Sequence, residues 1–343
     1  MRLGLASRRG ILTGGTWCAD HNKLVSDWPS EEMVVEILTN DVRGGGSACN
    51  LAVDMKRLDQ DMPVSTIGLV GDDEDGKILL AEADAAGIER SGLRVAHNGR
   101  TSHTDAFTSQ TSGRRTHLYL PGTAAELTPD HFDLSASSAR FLHLGLPGVH
   151  AKMDAAWGDD PNGWVTVLKE AKKASFATNL ELCSVSAERI AELVRPCLAH
   201  LDLLVVNDFE IAAIAGLPGE SASGVDVQSC VDAARVVLEA GAMQLVVVHF
   251  PHGAVALSRD GGEFSIPSVS VPLDSIQGTN GAGDAFAAGL LYGLHENWSI
   301  TDAIHLGHAS AAASMRGLGT TDKVVSWREC LDLATRWGWR ETL

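Results

Sequence analysis

Short apolar and β-branched runs recur at residues 3–12, 64–70, 141–146, 175–179, 203–206 and 245–249, each of strand length. A Pro-bounded stretch at 264–272 is also strand-like. Between the runs lie helical spacings. Residues 47–58 place Leu51, Met55 and Leu58 on one face, and 75–86 is ended by Gly87. Further helices are predicted over 163–173, 187–199, 226–240, 283–294 and 301–315. This alternation predicts an α/β fold with a mainly parallel sheet and helices on both faces. Residues 17–42 lack a helical period, and 100–120 are polar, Thr- and Ser-rich and partly alternating. Both read as antiparallel strands. They would form a small β-sheet lid over a core made of 1–16, 43–99 and 121–343. A lid so placed would cover a site at the carboxyl ends of the parallel strands, where open α/β sheets bind ligands.

Bulk properties narrow the function. The chain has 343 residues, 45% hydrophobic and 21% charged, with a formal charge of −17 and no basic cluster. Nucleic acid and anionic membranes are therefore excluded as expected partners. No apolar run reaches the ~18 residues of a membrane span. Residues 1–10 carry Arg2, Arg8 and Arg9 without the apolar core of a signal peptide. The six cysteines form no CxxC or CxxH pair, so zinc is not expected. A cytoplasmic protein with reduced thiols is the expectation.

The chemistry concentrates in Gly278-Thr279-Asn280-Gly281-Ala282-Gly283-Asp284-Ala285-Phe286, between the strand-like segment and an apolar helix. Glycines at such a junction let the backbone approach a ligand closely. The first N–H groups of the helix would then favour an anion. Asp284 is ill-placed to hold a phosphate but well placed to take a proton from whatever attacks it.

With these pieces in order, the chain resembles the ribokinase-like (PfkB) carbohydrate kinases over nearly its whole length. Gly281-Ala282-Gly283-Asp284 is similar to the family's second signature, and Gly45-Gly46-Ser47-Ala48-Cys49-Asn50-Leu51-Ala52 to its first. Asn207-Asp208-Phe209-Glu210 resembles its Asn-x-x-Glu element, and Gly113-Arg114-Arg115-Thr116 its flap turn. The resemblance implies a ribokinase-like three-layer α/β/α domain and an ATP-dependent sugar kinase. Asp284 would be the general base, and the amides of Gly281, Ala282 and Gly283 the anion hole. Asn207 and Glu210 would organise Mg²⁺ through water. Asp20, Gly45, Gly46 and Asn50 would hold a small sugar substrate. Gly253, Asn280 and His308 would lie toward the nucleotide, although His308 reads equally as an ordinary helix residue. The spacing from Asp20 to Trp28-Pro29-Ser30-Glu31-Glu32 is like that of ketohexokinases within the family.

Three positions depart from the family text. Gly278 stands where relatives carry an Asp that shapes a monovalent-cation loop, so K⁺ is implied by the family but put in question here. Phe250 replaces a glycine in Val248-His249-Phe250-Pro251-His252-Gly253, and Ser47 stands where ketohexokinases have Asn. Two other readings remain. One is a nucleoside kinase of adenosine kinase type, with Trp17, Trp28 and Phe107 as a slot for the base. The other is a non-catalytic sugar or nucleotide sensor. An exposed sheet edge or face tends to be covered, which points to a homodimer through the lid.

Overall fold

The computed structural model describes residues 7–217 and 225–343. In chain order the first elements are β1 (Ile11–Gly15), β2 (Cys18–Val25), β3 (Ile37–Gly45), α1 (Ser47–Leu58), β4 (Val64–Gly71), α2 (Glu74–Ala86), β5 (Glu89–Ala96), β6 (His103–Ser109) and β7 (Arg115–Leu120). Next come β8 (Phe141–Gly145), α3 (Gly163–Lys173), β9 (Ala177–Leu180), α4 (Ala187–Val194), β10 (Leu203–Asn207), α5 (Asp208–Ala215) and α6 (Val227–Ala240). The last are β11 (Leu245–Phe250), β12 (Gly253–Ser258), β13 (Glu263–Pro267), α7 (Ala282–His295), α8 (Ile300–Ser314) and α9 (Trp327–Trp337).

Nine strands form one sheet in the order β13-β12-β11-β10-β9-β8-β1-β4-β5. Pairing is parallel from β5 to β11, and β12 and β13 add antiparallel. The central strands are continuous apolar runs because both faces are covered. Along β10, Leu203 and Val205 enter the core shared with α1, α2, α7, α8 and α9. Leu204 and Val206 enter the opposite core, with α3, α4, α5 and α6. The result is the expected three-layer α/β/α arrangement.

The second sheet has the order β3-β2-β6-β7. Its two hairpins are antiparallel within themselves, but β2 pairs with β6 in parallel, which corrects the all-antiparallel expectation. Each excursion leaves the core on its first strand and returns on its second, and the two outgoing strands are neighbours. The sheet is tied to the core at both ends. His21 Nε2 lies 3.0 Å from Asp75 of α2, and Arg115 NH1 donates to the Leu318 carbonyl at 3.4 Å.

Local signals place several boundaries. Gly87 ends α2 with φ 71°, in the left-handed region that glycine tolerates. The predicted helix over 187–199 is shorter. It stops at Val194 and tightens into a 3₁₀ turn over Arg195–His200 that contains Pro196. The predicted strand over 3–12 lies partly outside the described residues, and the described strand is Ile11–Gly15. Neither strand β5 nor helix α9 is among the predicted elements. Strand β5 is an edge strand that buries Leu93 alone and so writes no strong apolar period, whereas α9 is one-sided, burying Cys330, Leu333 and Ala334 at a helical spacing that the sequence does carry. Among the described residues no helix is long and apolar enough to cross a membrane.

Leu290 is fully buried in α7, the helix that carries Asp284 and has its most extensive packing with α8. Leu290→Ala should destabilise the protein by about 2–5 kcal/mol in chemical denaturation. A loss well under 1 kcal/mol would contradict this packing.

Candidate active site

The parallel strands β1, β8, β9, β10 and β11 end at Gly15, Gly145, Leu180, Asn207 and Phe250. The chain enters the lid directly beyond β1, and α5 begins directly beyond β10. Helix α7 starts beside the same strand ends, as Gly283 lies against His249 of β11. A Cβ at Gly283 would sit 3.4 Å from the His249 ring. Gly281 is the N-cap of α7, with φ 75°, and a Cβ there would lie 2.3 Å from the Thr320 carbonyl oxygen. Glycine is therefore required on both counts. No side chain caps this helix end. The Ala282 amide makes a turn bond to the Thr279 carbonyl at 3.3 Å.

Asp284 stands in the first turn of α7, partly accessible yet surrounded by protein. Asn50 of α1 donates from Nδ2 to Asp284 Oδ2 at 2.9 Å. Asn50 Oδ1 in turn accepts from Thr320 Oγ1 at 3.0 Å. These bonds join the two Gly-rich motifs, 234 residues apart in sequence. Gly46, N-cap of α1 at φ 86°, packs so tightly on Thr16 that a Cβ would lie 2.6 Å from its carbonyl oxygen. The Asp20 carboxylate of β2 fills the space where a Gly45 side chain would stand, 2.4 Å from that Cβ. Asp20, Gly45, Gly46, Asn50, Gly281 and Asp284 are thus gathered at one place.

Acidic groups dominate it. Burial pushes the Asp284 carboxyl well above the usual range, and the neighbouring charge of Glu181 adds to this. Burial also raises Asp20 to about 6, opposed by the charge of Arg115. Glu181 rises to about 6 and Glu210 to about 7, again mainly by burial. Asp54, one turn along α1 from Asn50, is fully buried and its carboxyl is pushed up by the same cause. Electrostatics of this kind resist a full set of negative charges and favour protonated carboxyls or an incoming cation.

Asn207 and Glu210 form a reciprocal cap. Asn207 Oδ1 accepts from the Glu210 amide at 2.8 Å, and Glu210 Oε2 accepts from the Asn207 amide at 3.0 Å. Their oxygen donors suit a hard cation through water. Among the described residues no cluster of His, Cys, Asp and Glu is arranged to bind a metal directly. Asn280 is half-buried just before Gly281. Gly253 and His308 take no part in the Asp284 hydrogen-bond network. Gly253 opens β12, packed under Leu343 and the Ile266 carbonyl. His308 is buried edge-on against Phe286, with ring centroids 5.0 Å apart. Burial lowers its ring to about 3, so it is neutral.

Sequence reasoning missed Glu181, His143, His249 and Thr320. Glu181 and His249 carried a usable signal, since each is a polar residue at the carboxyl end of an apolar strand. Trp17, named for a base-binding slot, is 1% exposed and donates from Nε1 to Thr66 Oγ1 at 2.8 Å, so it belongs to the core.

Comparison with known proteins identifies the family and the fold. The model of the pfkB family of carbohydrate kinases matches residues 13–327. The chain is 26% identical to 5-dehydro-2-deoxygluconokinase of Clostridium beijerinckii, over 78% of this chain and 77% of that one. It is 28% identical to adenosine kinase of Saccharomyces cerevisiae, over 80% of this chain and 78% of that one. The structure of Arabidopsis thaliana ribokinase complexed with ribose and ATP matches with a TM-score of 0.75 at 19% identity, over 95% of this chain and 99% of that one, a likeness of fold. The chain belongs to the pfkB family of carbohydrate kinases and is a phosphotransferase with an alcohol group as acceptor.

Proposed function

We propose that the protein transfers the γ-phosphate of ATP to a hydroxyl of a small carbohydrate. The observation that carries this reading is the 2.9 Å bond from Asn50 to Asp284, which puts the acceptor-side motif against the proton-accepting carboxylate. Asp20 accepts hydrogen bonds from acceptor hydroxyls, since one carboxylate can serve two vicinal groups. Gly45 and Gly46 let the acceptor lie close to the backbone, and Asn50 both donates and accepts. Asp284 removes the proton of the attacking hydroxyl. The amides of Gly281, Ala282 and Gly283 and the positive end of α7 stabilise the transferring phosphoryl group. Phosphoryl transfer needs little covalent help, so alignment and charge neutralisation dominate. Asn207 and Glu210 would hold Mg²⁺ through water, and that ion would offset phosphate charge. Gly253, Asn280 and His308 mark the nucleotide side. The Arabidopsis thaliana ribokinase complexed with ribose and ATP has the same fold, which supports ATP as the donor. Gly278 supplies no carboxylate for a K⁺ loop, so K⁺ is at most an auxiliary activator.

A nucleoside acceptor is the second reading, favoured by the 28% identity to yeast adenosine kinase. The core position of Trp17 leaves Trp28, 49% exposed, and Phe107 as the aromatic pair available for a base. The lid also presents Met33, Val34, Ile37, Leu38 and Leu118 to solvent, which supports a homodimer through this sheet.

Three outcomes are expected. Asp284→Asn should lower kcat by roughly 100- to 10,000-fold while calorimetry still detects acceptor binding; full turnover would remove Asp284 as the base. Asp20→Asn should raise KM for the acceptor by at least about tenfold and leave KM for ATP within about twofold; equal effects on both would place Asp20 outside the acceptor site. Light scattering should give twice the monomer mass, and Val34→Glu should return the monomer; a wild-type monomer at working concentration would refute the lid interface.

A further inference from the structure

In the lid, residues directly opposite one another share a face of the sheet. Register sets Asp20 against Thr104 and Thr104 against Tyr119, then Asn22 against Ala106 and Ala106 against His117, and last Leu24 against Thr108 and Thr108 against Arg115. Asn22, Arg115, His117 and Tyr119 therefore lie on the face that carries the Asp20 carboxylate. The Arg115 side chain leans back along this face. Its Nη2 donates to Asn22 Oδ1, and Asn22 Nδ2 donates in turn to the Asp20 carbonyl at 3.2 Å. Its Nη1 reaches out of the lid to the Leu318 carbonyl at 3.4 Å, in the loop whose Thr320 braces Asn50. One guanidinium thus stands over the cleft between Asp20 and the loop beside α7.

That guanidinium is held without an acid. Among the described residues Arg115 enters no ion pair, whereas the lid's Lys23 and Arg43 are paired with Asp105 and Asp41. Its two partners are neutral oxygens, and its Nε is sealed from solvent with no hydrogen-bond partner. A buried N–H left unmade is costly, and an arginine fork matches a carboxylate through two parallel bonds. The acid that its charge reaches is Asp20, whose oxygens are wanted for hydroxyls. His117 adds no second charge, because burial and then the charge of Arg115 hold its ring below the usual range. The rest of the cleft is acidic, with Asp20, Glu181, Glu210 and Asp284 all pushed up by burial. One fixed cation in such surroundings suits a ligand with one negative charge.

We propose that Arg115 selects an acceptor with a carboxylate, so that the carbohydrate is a sugar acid: Asp20 reads its hydroxyls and Arg115 its acid group. This rests on the reading of the protein as a kinase with Asp20 in the acceptor site. Asn22 stands two residues beyond Asp20 on β2, roughly 7 Å along an extended strand, which is the reach of a five- or six-carbon chain. One small molecule can therefore touch both groups at once. Giving up the long bond to Leu318 turns the guanidinium toward the carboxylate, which then accepts from Nε and an Nη together. Arg115 meets the acceptor away from the reacting hydroxyl and is a specificity-determining residue.

The test compares sugar acids with the neutral sugars that carry a hydroxymethyl group in place of the carboxylate: 2-ketogluconate with fructose, gluconate with glucitol, and glucuronate with glucose, each with Mg·ATP. In the wild type kcat/KM should favour the acid by about 10- to 100-fold in the pair turned over best, the worth of one charge-assisted interaction. Arg115→Gln should abolish that preference through KM for the acid, and leave the neutral sugar and KM for ATP within about twofold. Arg115→Lys keeps the charge and loses the fork, so it should retain only part of the preference, and it decides the question if Arg115→Gln does not fold. Arg114→Gln removes a neighbouring exposed charge and should change nothing. Preference for the neutral member, or an acid preference that survives in Arg115→Gln, would overturn the proposal and leave the kinase reading standing. Equal losses for acid and neutral sugar with a raised KM for ATP would also overturn it, by placing Arg115 at the phosphates. Failure of the kinase reading looks different: the wild type then phosphorylates no acceptor. Calorimetry with the three acids still tests Arg115 in that case, since binding that is lost in Arg115→Gln supports the proposal, and equal binding or none overturns it.

Discussion

Everything at the centre of this molecule is arranged around one costly act, the partial burial of the Asp284 carboxyl at the start of α7. A carboxylate removed from water must be neutralised, hydrogen-bonded or protonated. Here Asn50 supplies a hydrogen bond and the uncapped N-terminus of α7 contributes its dipole, while the nearby charge of Glu181 works the other way and favours the protonated carboxyl. The same dipole that eases an anion at this spot favours a phosphoryl group. Substrate-side and phosphate-side chemistry therefore meet in the first turn of one helix.

That arrangement holds because of the backbone beneath it. Gly281 must adopt a positive φ against Thr320, and Thr320 in turn braces Asn50. Gly45 makes room for Asp20, and Gly46 turns the chain from the lid into α1. A methyl group at any of these glycines would push apart the elements that the hydrogen bonds draw together. The chain charge of −17 fits the same picture, since the positive potential an anion needs comes from helix ends and from a bound cation rather than from a basic cluster.

Much of this is legible in the sequence. Apolar runs in parallel strands are buried on both faces, so β4, β8, β10 and β11 announce themselves, and the spacing of Leu51, Met55 and Leu58 marks α1. The Gly-rich motifs are equally plain, because close backbone approach restricts them to glycine. Other features depend on sheet order, which no local pattern encodes. His143 and Glu181 lie 38 residues apart and meet each other only because β8 and β9 are adjacent in the sheet. Thr320 sits in a loop and matters through what it braces. The parallel pairing of β2 with β6 follows from which strands leave the core side by side. Trp17 reads as an aromatic near a ligand segment, and only its bond to Thr66 reveals it as core.

Whether acceptor and phosphoryl group meet at Asp284 is answered by phosphorus-31 NMR of the protein with Mg·ATP and, separately, a pentose, a hexose, a ketose, a sugar acid and a nucleoside. A new phosphomonoester signal, matched by ADP, should form with one of these acceptors, and none in the absence of an acceptor. Consumption of ATP to ADP and inorganic phosphate regardless of acceptor, or no consumption with any of them, would contradict a kinase built on this carboxyl.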